Sequence, residues 1–189
     1  MTSLLAGLAL GGASRLIDTA PWAPVWIGSV FAPWLAATWL AGATTSERRT
    51  GALRGTLMLA AVVAAYLLVA GTTSSWNEAA RLAPGLAASA AVAGPIFGTA
   101  GAIRRAPWPG SLAGAAMLGG ALVADSIVLN LGNRALWERA IFAAELLAGL
   151  WLAQKVARHP RAAPLALVIG FVLVSVELAV MAVLGLPLP

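Results

Sequence analysis

The stretch SLAGAAMLGGALVADSIVLN, residues 111–130, carries a single charged residue, Asp125. At about 1.5 Å of rise per residue, a helix of this length matches the roughly 30 Å hydrocarbon core of a bilayer. It is apolar on every side, whereas the surface helix of a soluble protein keeps a polar face. Similar runs lie on either side of it, at 3–17, 23–43, 55–71, 84–103, 136–156 and 164–187. Together they predict seven transmembrane helices, or six if the short first run, which holds Gly7, Gly11 and Gly12, does not cross. The connecting segments are too short for a soluble domain. The expected fold is therefore all-α, an integral membrane bundle in which residues 1–189 form a single transmembrane domain.

Composition supports the same solvent. Of 189 residues, 60% are hydrophobic and 10% charged, against roughly 25% charged in an ordinary soluble domain, and the mean hydropathy is +0.88. Disorder is excluded, because it needs low hydrophobicity. The absence of cysteine excludes a disulfide scaffold and a zinc finger. A single histidine, His159, leaves no basis for a histidine-built metal centre, so neither metal nor cofactor is expected. The net charge of +5 does not point to nucleic acid, since the basic residues stand in short groups between apolar runs, as in membrane loops. No basic residue precedes the first apolar run, so no cleavable signal is expected.

Those groups also set an orientation. Arg48, Arg49, Arg54, Arg104, Arg105, Lys155, Arg158 and Arg161 fall on one side of the seven-span arrangement. Arg15, Arg81, Arg134 and Arg139 fall on the other, beside Asp18, Glu78 and Glu138. The side richer in Lys and Arg is cytoplasmic, which puts the N-terminus inside a bacterial plasma membrane and the C-terminus outside.

Ionisable groups within spans are costly and mark functional sites by default. Asp125, Glu145 and Glu177 are the three candidates. Counted outward from a turn near Gly132 and Asn133, Asp125 is level with about Ile141. Glu138 and Glu145 then lie about one turn to either side. Carboxyl groups that are crowded and removed from water favour the neutral form, which can deliver a proton. The same acids could instead pair with Arg15, Arg81, Arg134 or Arg139 and pin helices together. Of the eight tryptophans, Trp22, Trp26, Trp76 and Trp137 map to the outer ends of spans, near these acids. Interfacial belts are the usual reason for such placement, but indole faces also attract cations. Acids beside indoles could protonate an apolar substrate and then shelter a carbocation. The fourth span holds Gly94-Pro95-Ile96-Phe97-Gly98, where proline predicts a kink near 91–95. Phe97 would border a cavity there, unless the glycines serve close helix packing. Gly7 with Gly11, Gly94 with Gly98 and Gly110 with Gly114 have the spacing of such packing seams or of a dimer face.

The Gly94–Gly98 stretch followed by Arg104-Arg105, with Ala124-Asp125 and Ala144-Glu145, resembles an uncharacterised family of small actinobacterial multi-pass membrane proteins over most of residues 50–155. In size, span number and membrane acids the chain is also similar to the small integral-membrane terpene cyclases that fold prenylated indoles and other meroterpenoids. That likeness implies a metal-independent cyclase acting on an apolar prenylated small molecule, without nucleic acid as a partner. Asp125, Glu145 and Glu177 are then the expected catalytic acids, with Trp22, Trp26, Trp76, Phe97, Trp137 and Glu138 around the substrate. The Gly-Pro-x-x-Gly segment looks like the substrate-binding subunits of energy-coupling-factor vitamin transporters, which implies solute binding instead. A structural subunit of a membrane complex is the third expectation.

Overall fold

The computed structural model describes residues 2–19, 31–130 and 136–184, and their regular structure is entirely helical. Seven α-helices occur among the described residues: α1 (Thr2–Thr19), α2 (Phe31–Gly42), α3 (Arg48–Thr73), α4 (Trp76–Ala102), α5 (Gly110–Asn130), α6 (Leu136–Ala157) and α7 (Ala162–Leu184). A single 3-10 turn, Ile103–Arg105, follows α4. The short first run is thus a helix, one of the seven among the described residues. Three stretches, Arg48–Thr73, Trp76–Arg105 and Gly110–Val128, are long and apolar enough to cross a membrane, and Ala162–Val176 is a shorter apolar helix. The chain falls into two compact units, Met1–Ile103 and Arg104–Pro189.

In the first unit α3 packs against α1, α2 and α4. Glycine lets it do so. A Cβ on Gly94 of α4 would lie 2.7 Å from Thr56 Cα of α3, and one on Gly55 of α3 would lie 2.6 Å from Gly98 Cα. Gly7 of α1 stands as closely against Met58 of α3. Small residues at four-residue spacing are thus backbone-contact seams inside this unit. The Gly94–Gly98 segment packs closely against α3, and Phe97 is fully buried. α4 is helical throughout, through Pro84 and Pro95. The core between the helices gathers Trp34, Leu59, Val62, Val63 and Ala90.

In the second unit α5 packs against both α6 and α7. Ser126 Oγ donates to the Phe142 carbonyl at 3.0 Å, and Gly119 meets Gly149. The two pairs are seven residues apart on each helix, so α5 and α6 run antiparallel in one register. α7 runs parallel to α5, with Gly120 against Ile169, Val123 against Gly170, and Ala124 and Val128 against Val174.

Candidate functional site

In the first unit one group of ionisable side chains meets where α1 and α3 end and α4 begins. Ser75 is the N-cap of α4, and its hydroxyl accepts from the Glu78 amide at 3.1 Å, satisfying one of the free donors of a helix start. Glu78 is thereby fixed in the first turn, where a carboxylate also suits the helix dipole. Its Oε1 accepts from Arg15 Nη2 at 2.7 Å. The same nitrogen donates to Ser74 Oγ at 2.8 Å, and Nη1 donates to Tyr66 Oη at 3.3 Å. Tyr66 in turn donates to Asp18 at 2.7 Å, whose carboxylate stands 3.9 Å from Arg15.

Arg15 is only 8% exposed. Its Nε is buried without a hydrogen-bond partner among the described residues. The Glu78 side chain, 42% exposed, also lines an open hollow of about 570 Å³ with Ser75, Asn77, Ala80 and Arg81. Beneath the cluster Trp34 Nε1 donates to Ser14 Oγ, and the Trp34 and Tyr66 rings meet edge to face. Such a network can hold three helix ends together and present one fixed carboxylate beside a guanidinium at a solvent-open hollow.

The second unit carries its acids well inside its helices. In the register set by Ser126 and Phe142, Asp125 is level with Ala143 and Glu145 with Val123. The two acids thus differ by two residues, or about 3 Å in height. That is closer than counting from the turn suggests, because the contact of Gly119 with Gly149 shifts the pairing by about two residues. Asp125 is 8% exposed and shares a buried stripe of α5 with Leu118 and Ala121, at three- and four-residue spacing. That stripe lies roughly 110° around α5 from the line that meets α6, on the side away from α7. Glu145 is half-buried. On α6 it is turned to the same side, away from Leu150 and Ala157, which pack toward α7. Asp125 and Glu145 therefore occupy one side of the α5–α6 pair at nearly one height.

The other expected site residues are distributed differently. Glu177 lies on α7 and Trp137 and Glu138 at the start of α6, but their side chains fall outside the described residues, as do Trp22 and Trp26 altogether. Trp76 is exposed in the first unit and covers Gly71 at the α3–α4 turn. Among the described residues no group of three His, Cys, Asp or Glu is arranged to hold a metal ion.

Residues 1–187 match a family described as a family of unknown function (DUF6518). The chain belongs to that family. No curated protein and no solved structure matches the chain.

Membership covers nearly the whole chain, both helical units included, without assigning an activity to either. What the sequence reading passed over is Tyr66, the only tyrosine, and the Ser74-Ser75 pair that receives Arg15 and caps α4. Two signals were present. Ser75-Trp76-Asn77-Glu78 is a capping-box pattern, and a lone phenol within an apolar run needs a polar partner.

Proposed function

We propose that this member of the DUF6518 family is an integral protein of the bacterial plasma membrane and that its second unit houses a metal-independent terpene cyclase site. The observation that carries the reading is Asp125, almost wholly buried well inside α5 with Glu145 level with it on the same side. Support for the bilayer comes from side chains that water would not tolerate in such number. Leu53, Leu57 and Leu68 on α3, Val92 and Ile96 on α4, and Val168, Phe171, Val172 and Val176 on α7 are all exposed. Exposed apolar surface on this scale marks a lipid or partner contact.

In the proposed reaction a protonated Asp125 donates to a terminal alkene of a prenylated indole or related meroterpenoid. The alkene π pair forms the new C–H bond as the O–H bond breaks, leaving a tertiary cation and a carboxylate. The next double bond closes the ring, and the final cation returns a proton to a carboxylate, Asp125 itself or Glu145. The chemistry needs no cofactor.

The test pairs a product assay with a melting curve on Asp125→Asn and Glu145→Gln. General acid catalysis contributes about 10²–10⁴-fold, so Asp125→Asn should lose product formation by that order while its melting temperature holds. Normal product from both variants would sink the reading. The orientation has its own check: a reporter fused after Arg105 should read cytoplasmic and one after Trp76 external.

The hollow beside Ser75, Asn77, Glu78 and Arg81 favours a second reading, a solute-binding subunit of the energy-coupling-factor type. Saturable binding of a vitamin that Glu78→Gln abolishes, with no turnover of prenylated compounds, would establish it in place of the cyclase.

A further inference from the structure

We infer that the α6–α7 hairpin is a binding site for one anionic phospholipid of the bilayer, its phosphate held by Lys155, Arg158 and Arg161. The inference rests on the membrane reading above but not on the cyclase. The three cations are exposed and lie within seven residues, Lys155 in the last turn of α6 and Arg158 and Arg161 in the turn to α7. None of them forms an ion pair among the described residues, and no acid occurs anywhere between Glu145 and Glu177. The basic group at the start of α3 is different: Arg54 donates to Thr44 Oγ1, and Glu47 stands beside Arg48 and Arg49.

The turn is also ordered in a way that favours charge over backbone ease. Arg158 follows the last residue of α6 with φ of 52°, the left-handed position at which helices usually place glycine. His159 Nδ1 accepts from the Arg161 amide and its carbonyl accepts from the Ala162 amide, both at 3.1 Å, so Arg158 and Arg161 flank one fixed turn. Lys155, in the last turn of α6, suits the negative end of that helix.

What selects a lipid over a free anion is the stripe below the charges. Lys155, Trp151 and Leu147 follow one another at four-residue spacing and so share one face of α6. Lys155 Nζ sits 5.7 Å from the Trp151 ring centroid, and Trp151 and Leu147 are 57% and 65% exposed. Cation, indole and aliphatic chain succeed each other in the order of phosphate, glycerol and acyl chain in a phospholipid. Tryptophan is the residue enriched at that middle level.

The experiment is native mass spectrometry of the full chain in micelles holding equal amounts of phosphatidylglycerol and phosphatidylcholine. With about a fivefold contribution from each cation near an anionic surface, the first retained lipid should be phosphatidylglycerol by at least about tenfold. Lys155→Gln with Arg158→Gln and Arg161→Gln should bring the ratio near one, while Arg48→Gln with Arg49→Gln leaves it unchanged. Arg158→Gly removes a charge while easing the backbone, so it should lower the ratio with no loss of melting temperature. A large excess of inorganic phosphate should not displace the lipid. No preference in the parent protein, an unchanged ratio in the triple variant, or displacement by phosphate alone would each overturn the inference. Extraction of the protein by alkaline carbonate would instead overturn the membrane reading beneath it.

Discussion

The two helical units carry charge at different depths and in different company. In the first, Arg15 lies four residues from the end of α1 and Glu78 in the first turn of α4, and the opposite charges meet at 2.7 Å. In the second, Asp125 and Glu145 are carboxylates of like sign, well within α5 and α6. A compensated cluster at helix ends is cheap to keep ionised and ties elements together. Acids set well inside apolar helices are costlier to ionise, and that is the property the proposed cyclase site would use. The contrast teaches that within one small chain burial alone does not mark a site, since Arg15 and Asp125 are equally buried. Depth along the helix is what differs between the Arg15 tether and the acid proposed to react.

The largest expected effect tests the reactive half. Asp125→Asn should reduce product formation by about 10²–10⁴-fold while leaving thermal stability in detergent unchanged, because a neutral amide takes the place of a neutral carboxylic acid of the same shape. If that variant instead melts as low as one lacking Arg15, the contrast fails and Asp125 is a tether as well.

The tether half predicts the opposite pattern, a stability loss with no chemistry attached. Arg15→Met removes the donor shared by Ser74, Tyr66 and Glu78 and leaves the Asp18 carboxylate, with 14% of its side chain exposed, without its cation. Breaking a buried pair from one side typically costs about 3–5 kcal/mol, so its melting temperature should fall by far more than that of Asp125→Asn. Glu78→Gln should cost less, about 1–2 kcal/mol, since its amide oxygen still accepts from Arg15 and the side chain is partly solvated. Equal losses in the two variants would mean that the Glu78 charge accounts for all that Arg15 contributes, and no loss in Glu78→Gln would mean that Ser74 and Tyr66 hold Arg15 without it.

How far the sequence reached differs between the units for a physical reason. Among the described residues, helix order and approximate limits were legible, because apolar runs punctuated by Arg, Gly and Pro have few alternative foldings. The shared end of Arg15, Asp18 and Glu78 was legible too, from charge side alone. Their mutual contacts were not, since two helices, α1 and α4, must approach a third, and nothing local encodes that distance. The level of Asp125 against α6 came within about two residues. The remainder depended on Gly119 opposing Gly149, a contact between positions 30 residues apart. The face shared by Asp125 and Glu145 was out of reach, because it is defined only once the position of α7 is known.

The smallest effect asks whether the cap of α4 belongs to the tether. Ser75 accepts from the Glu78 amide, and Glu78 in turn accepts from Arg15. Ser75→Ala frees one amide at a helix start and should cost about 1 kcal/mol, whereas Ser75→Gly should cost only a few tenths. If the cap only ends the helix, that loss is the same with or without Arg15. If it also holds the Glu78 carboxylate in line with the guanidinium, losing Arg15 removes part of what the cap does. A double-mutant cycle of Ser75→Ala with Arg15→Met should then show a coupling of about 0.5 kcal/mol or more. Ser126→Ala removes a buried hydroxyl link from α5 to α6, and lies in the second unit. Its cycle with Arg15→Met is expected to be additive within about 0.3–0.5 kcal/mol. Additivity in both cycles would leave Ser75 an ordinary cap and reduce the tether to Arg15 and its direct partners. Coupling in both would mean that the two units do not melt independently, which would undo the comparison from which these expectations start.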